Sequence, residues 1–180
     1  MPRYVAFLGS INVGGHTVKM ERLRELVAEL GHGSVETFIA SGNVLFESEE
    51  QDAARLQQEL SAHLAESLGF PVPVYLRTAA EVAAVAAHQP FDEAELLSPE
   101  AALYVVFLPA QPPDDAEEKL RALRTPDDEF QVRGRELYWL RRRKISESKI
   151  TAAQFRKALG AAGTSRNFTT VRKLAAKNPA

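Results

Sequence analysis

From residue 4 to residue 77 the apolar residues change spacing in one order: strand, helix, strand, strand, helix, strand. Few folds accommodate that order in so short a stretch. Residues 4–8 form a continuous apolar strand. Met20, Leu23, Leu26, Val27 and Leu30 then fall at helical spacing, up to Gly31. Residues 35–39 and 44–47 read as a hairpin around Ala40, Ser41, Gly42 and Asn43. A second helix repeats leucine every fourth residue, at Leu56, Leu60, Leu64 and Leu68, and ends at Gly69. The last strand, residues 72–77, carries Pro71 and Pro73 at its start. Proline has no N–H to give to a ladder, which places this strand at a sheet edge. A split β-α-β sheet also puts its fourth strand at an edge, so the two inferences agree.

The remaining residues follow a similar order. A short alanine-rich helix (79–88) and a loop (89–100) precede an apolar central strand (103–108). A helix over 114–123 has its acids at the N-terminal end, where they complement the helix dipole. Strands over 129–133 and 135–140 join at Gly134, and a helix over 151–159 leads to a connection over 160–165. A last helix spans 167–176, where a fourth strand would otherwise stand. The expected fold is α+β: two ferredoxin-like (α/β-plait) sandwiches, residues 1–78 and 79–180, the second with an additional C-terminal helix. One larger mixed sheet is the alternative arrangement.

Composition narrows the function classes. The chain has 180 residues, 45% of them apolar and 26% charged, enough to build a core. Cysteine is absent, which excludes disulfides and thiol catalysis and fits a reducing compartment. The N-terminal apolar run is too short for a signal peptide. No stretch approaches the ~20 apolar residues of a membrane span. The expectation is a cytoplasmic protein with no membrane partner. Net charge is -2 but uneven: residues 141–180 hold 11 Lys/Arg and one acid, Glu147. Either this basic end docks on the acidic body or it binds a polyanion.

Candidate sites fall in three polar stretches. Gly9, Ser10, Ile11, Asn12, Val13, Gly14 and Gly15 follow the first strand and precede a helix, a place where anions bind. The stretch nearly fits a P-loop, but Ser10 stands for the first glycine and His16 for the lysine. It is read either as a strand-to-helix turn with Asn12 bonding local backbone, or as a contact for a polar or anionic ligand. Ser41, Gly42 and Asn43 suit a hairpin turn, because Gly and Asn tolerate positive φ. In the simplest model this turn and the first loop lie at opposite ends of the sheet. Thr164, Ser165, Arg166 and Asn167 precede the last helix, with Thr or Ser as its cap and Asn167 bonding backbone. Arg166 either forms an inter-domain salt bridge that ties the C-terminus down or offers its planar fork to a carboxylate or phosphate.

Together these residues resemble a known family. Ile11-Asn12-Val13-Gly14-Gly15, Met20, Leu23, Ser41-Gly42-Asn43-Val44 and Phe46 match the domain-of-unknown-function 1697 family in order and spacing. So do Thr164, Arg166-Asn167-Phe168, Thr170-Val171 and Lys173-Leu174. The resemblance implies two α/β-plait domains in bacterial proteins of unestablished biochemical role. Members often carry Arg-Gly where this chain has Gly9-Ser10, and tryptophan where it has Phe168. The arginine that could clamp an anion at the loop is therefore missing.

The expected function is binding of a polar or anionic small molecule at the inter-domain cleft. The expected residues are Ser10, Asn12, Gly14, Gly15, Arg166, Asn167 and Thr170, with Ser41, Gly42 and Asn43 as additional candidates. The alternative is nucleic-acid binding through Arg141, Arg142, Arg143 and Lys144, with Tyr138 and Trp139 as stacking groups. A small-molecule enzyme without metal is the third reading, its catalytic residues unassigned. His16, His32, His63 and His88 are dispersed and lack metal-ligand spacing, so no metal or cofactor is expected. The acids Asp127, Asp128 and Glu129 read as a solvated turn.

Overall fold

The computed structural model describes residues 1–12 and 15–180. By their contacts these form two units, Met1–Ala86 with Lys173–Ala180, and Ala87–Arg172. The first unit contains β1 (Arg3–Leu8), α1 (Met20–Ala28), β2 (Gly33–Thr37), β3 (Asn43–Glu47), α2 (Ala53–Leu68) and β4 (Val74–Thr78), and α3 (Ala79–Ala87) begins in it. Its sheet has the order β2-β3-β1-β4, antiparallel at every step. The strand alternation explains the core. Tyr4, Ala6 and Leu8 share one face of β1, and their register partners Phe46, Val44, Leu76 and Val74 continue that face. It packs on Leu23, Leu26 and Val27 of α1 and on Leu56, Leu60 and Leu64 of α2. Asp52 caps α2, accepting from the Ala54 and Arg55 amides at 3.1 Å. The edge position expected for β4 is found; Pro71 and Pro73 precede it rather than interrupt it.

The second unit repeats the topology. It contains β5 (Ala102–Phe107), α4 (Ala116–Leu123), β6 (Asp128–Arg133), β7 (Glu136–Arg141), α5 (Ala152–Leu159) and β8 (Thr164–Asn167). The sheet order is β6-β7-β5-β8, again antiparallel throughout. The added helix, α6 (Phe168–Lys177), begins in this unit and ends in the first. β8 is a correction: it occupies residues that the sequence pattern assigns to a connection over 160–165 and to the start of the last helix. Thr164, Ser165, Arg166 and Asn167 pair with Phe107, Val106, Val105 and Tyr104. Four polar residues show no apolar alternation, and the inward position is held by Arg166, 6% exposed. The strand was therefore invisible to a hydrophobic pattern. Among the described residues no helix is long and apolar enough to cross a membrane.

Candidate functional site

The polar loops of the first unit meet at the end of its sheet. β1 and β2 both run antiparallel to β3, so they run parallel to each other and finish at the same end of the sheet. The Leu8 amide donates to the Gly42 carbonyl at 2.9 Å. Asn12 Nδ2 donates to the Ala40 carbonyl at 3.1 Å, and Asn12 Oδ1 accepts from the Val18 amide at 2.7 Å. The expectation that this loop and the hairpin lie at opposite ends is thus overturned. Helix α1 carries the chain back before β2 begins, so β2 leaves in the direction of β1.

This end is built on left-handed backbone. Ser10, Asn12 and Ile39 have φ of 55°, 56° and 52°, an uncommon state for residues with a Cβ, above all for a β-branched one. Gly42 has φ 82°, and a Cβ there would lie 2.6 Å from Ile11 Cγ2, so the close approach of the two loops requires glycine. Asn43 is fully buried, its Nδ2 donating to the Phe38 carbonyl and to Ser41 Oγ at 2.9 Å. Ser10, Gly15 and Ser41 are exposed, whereas the Asn12 amide is committed to holding the loops together. Gly14 lies outside the described residues. His16, in the place of a P-loop lysine, stacks on Phe70 with ring centroids 4.0 Å apart.

One feature of this end escaped the sequence reading. Lys19 occupies the N-cap of α1 in extended conformation, and no side chain caps the helix there. Serine, threonine, aspartate or asparagine usually fills that position, and a lysine immediately before a helical run was the available signal. The first-turn N–H groups and the Lys19 ammonium carry positive charge at one place. Glu21, also in the first turn, is 4.0 Å from Arg24.

In the second unit Arg166 points inward from β8. Its Nη1 donates to Thr164 Oγ1 at 2.7 Å and to the Ser165 carbonyl at 2.9 Å. Burial pushes its pKa down to about 10. Asn167 Oδ1 accepts from the Thr169 amide at 2.9 Å, the local backbone bond expected of it. Thr164 and Ser165 belong to β8 and do not cap the last helix, a correction that follows from the strand itself. Thr170 is half-buried on the first turn of α6.

The basic run is largely spent on carboxylates. Arg141 is buried, its Nη1 donating to Asp128 Oδ2 at 2.6 Å. Trp139 Nε1 donates to Asp128 Oδ1 at 2.9 Å, and Thr125 Oγ1 donates to Oδ2 at 2.5 Å. Arg142 makes two 2.9 Å bonds to Glu95 and lies 3.2 Å from Glu129. The Glu95 contact raises the Arg142 pKa and lowers that of Glu95. Arg143 is 3.4 Å from Asp127, and Lys144 is exposed. Asp128 is therefore no solvated turn residue; it is the acceptor at the centre of a buried network. Tyr138 and Trp139 are also buried, and burial pushes the Tyr138 pKa up to about 12. The Tyr138 ring is 1% exposed and not free to stack on a base. Among the described residues no three His, Cys, Asp or Glu side chains converge on a metal position.

A family model described as a protein of unknown function, DUF1697, matches residues 1–138. The solved structure of the conserved bacterial protein SP0830 from Streptococcus pneumoniae is similar over 100% of this chain and 99% of its own, at 25% identity and a TM-score of 0.76. No curated protein matches the chain significantly.

Proposed function

Because the chain belongs to the domain-of-unknown-function 1697 family, which is described without an activity, we propose a function from the geometry of its first unit: binding of a small polar anion at the end of β1. The reading rests on one observation. The Asn12 bridge to Ala40 holds two exposed polar loops together, and the loop after β1 leads into a helix N-terminus with no side-chain cap and Lys19 at the cap position. Backbone amides and a cation are the donors an anion needs. Ser10, Gly15 and Ser41 supply exposed groups around them.

Polyanion binding has weaker support, since Arg141 is buried and Arg142 and Arg143 already face carboxylates. Amide-resolved NMR titration with inorganic phosphate and with citrate tests the reading. Saturable shifts at Ser10, Gly15, Met20 and Ser41 that vanish in Lys19→Glu are the expected result. Shifts that do not saturate, or that persist unchanged in Lys19→Glu, overturn it. A duplex oligonucleotide that binds with a steep salt slope, and loses affinity in Arg143→Glu with Lys144→Glu, would favour the polyanion reading instead.

A further inference from the structure

The second unit contains a cavity that its fold does not need. It has a volume of about 550 Å³ and lies between α5 and the face of β5, β7 and β8. That size is within the roughly 300–1,000 Å³ of small-molecule sites. Val106, Trp139 and Ser165 form its floor, and Phe155 and Leu159 of α5 its apolar roof. Val106 is half-buried although β5 is an interior strand, while its neighbours Val105 and Phe107 are fully buried. An aliphatic side chain left open at mid-sheet marks apolar surface that packing could have covered.

The local sequence keeps the space open. The first turn of α5 offers only the methyl groups of Ala152 and Ala153 to the cavity. The chain beyond α5 is drawn onto the sheet at Gly163, where a Cβ would lie 2.6 Å from the Phe107 carbonyl oxygen. No side chain can enter the cavity from that position. The Trp139 N–H is already committed to Asp128, so the indole shows the cavity an apolar surface rather than a donor. Trp139 and Phe155 lie with ring centroids 5.0 Å apart.

Charge distinguishes this cavity from a simple packing gap. Arg156 and Lys157 both line it, and no acidic residue does. Both are exposed, and among the described residues neither is within ion-pair distance of a carboxylate. A smaller cavity in this unit, about 240 Å³, is by contrast lined by Glu117 and Glu129 as well as Arg121 and Arg124. From an apolar, aromatic-walled interior and an uncompensated cationic rim we infer that the second unit binds a small amphipathic anion. Its hydrocarbon or aryl body would lie on Val106 and Trp139, with a carboxylate or phosphate head at Arg156 and Lys157. This site is separate from the anion-binding sheet end proposed for the first unit, and its ligand class differs in needing an apolar body.

Trp139 is the single tryptophan of the chain, so its fluorescence reports on the cavity directly. The full-length protein is titrated with octanoate, decanoate, decanol and inorganic phosphate. The expected result is a saturable change with decanoate and about fourfold tighter binding per added methylene. Decanol should bind at least tenfold more weakly, and phosphate alone should leave the emission unchanged. Ser165→Phe fills the floor from an exposed strand position and should abolish decanoate binding while far-ultraviolet circular dichroism is unchanged. Arg156→Glu with Lys157→Glu should weaken decanoate at least tenfold and leave decanol unaffected. Unsaturable binding, or binding that is equal in Ser165→Phe, overturns the site. Equal affinities for decanoate and decanol, or indifference to the charge reversal, overturn the anionic ligand class. Lys19→Glu should leave decanoate binding intact, which separates this test from that of the first unit.

Discussion

Replacing Asp128 by alanine should unfold the second unit at markedly lower denaturant. Asp128 is 1% exposed, and its carboxylate accepts from Arg141, Trp139 and Thr125. Arg141 is 3% exposed, so its guanidinium would be left buried without its carboxylate. Breaking a buried pair from one side costs about 3–5 kcal/mol, because the remaining charge keeps its desolvation penalty. For a unit of this size each kcal/mol is worth about 4–8 °C, so the transition should fall by ~12 °C or more. Trp139 fluorescence follows this unit alone, which avoids assuming that both units unfold together. The paired replacement Asp128→Leu with Arg141→Met should recover most of the loss. It removes both charges, and Arg141 Nε has no partner among the described residues. The Trp139 N–H then stays unpaired, at a cost of about 1–2 kcal/mol. A loss below about 1 kcal/mol in Asp128→Ala, or a double variant no more stable than the single, would refute the argument.

Three further outcomes follow from the same structure. Gly163→Ala should destabilise the second unit by about 1–3 kcal/mol, since its Cβ would meet the Phe107 carbonyl at 2.6 Å and Val106 Cγ1 at 2.7 Å; urea unfolding read at Trp139 measures it. Asn12→Ala should cost about 1–3 kcal/mol through two lost bonds and a left-handed backbone that alanine disfavours, and hydrogen exchange at the Val18 amide should accelerate, whereas Asn12→Asp keeps the Val18 acceptor and should protect that amide. Tyr138 ionises at about 12 in the folded chain against 10 when unfolded, so its contribution to stability is complete below pH 10 and is lost as pH rises toward 12; ultraviolet titration should show its phenolate appearing only near pH 12 or on unfolding, and Tyr138→Phe should flatten the alkaline fall in stability.

Most of the first unit was legible because its strands and helices announce themselves by period. The leucines of α2 mark one apolar face, and the continuous apolar run of β1 marks a strand buried on both faces. In the structure Thr151 and Gln154 form a capping box at the start of α5, and Gly160 ends the helix in left-handed conformation. Legibility failed where polar residues took structural positions. β8 carries Arg166 inward and shows no apolar alternation. The acidic turn that opens β6 reads as solvated because nothing in 127–129 tells a buried aspartate from an exposed one. At Lys19 the signal is only a lysine where a capping residue usually stands, a weaker mark than an apolar period.

The sequence by itself determined most of the strands and helices, β8 apart, and which faces of them are apolar, because those preferences act over a few neighbouring residues. Only the tertiary structure decided that the loop after β1 meets the 38–43 turn, because strand direction depends on how α1 returns the chain. It also decided that Arg141 is buried on Asp128 while Arg156 and Lys157 stand at the rim of a cavity. A charge's fate depends on which distant segment folds over it, and residues 13 apart along two strands become partners only when β6 and β7 pair.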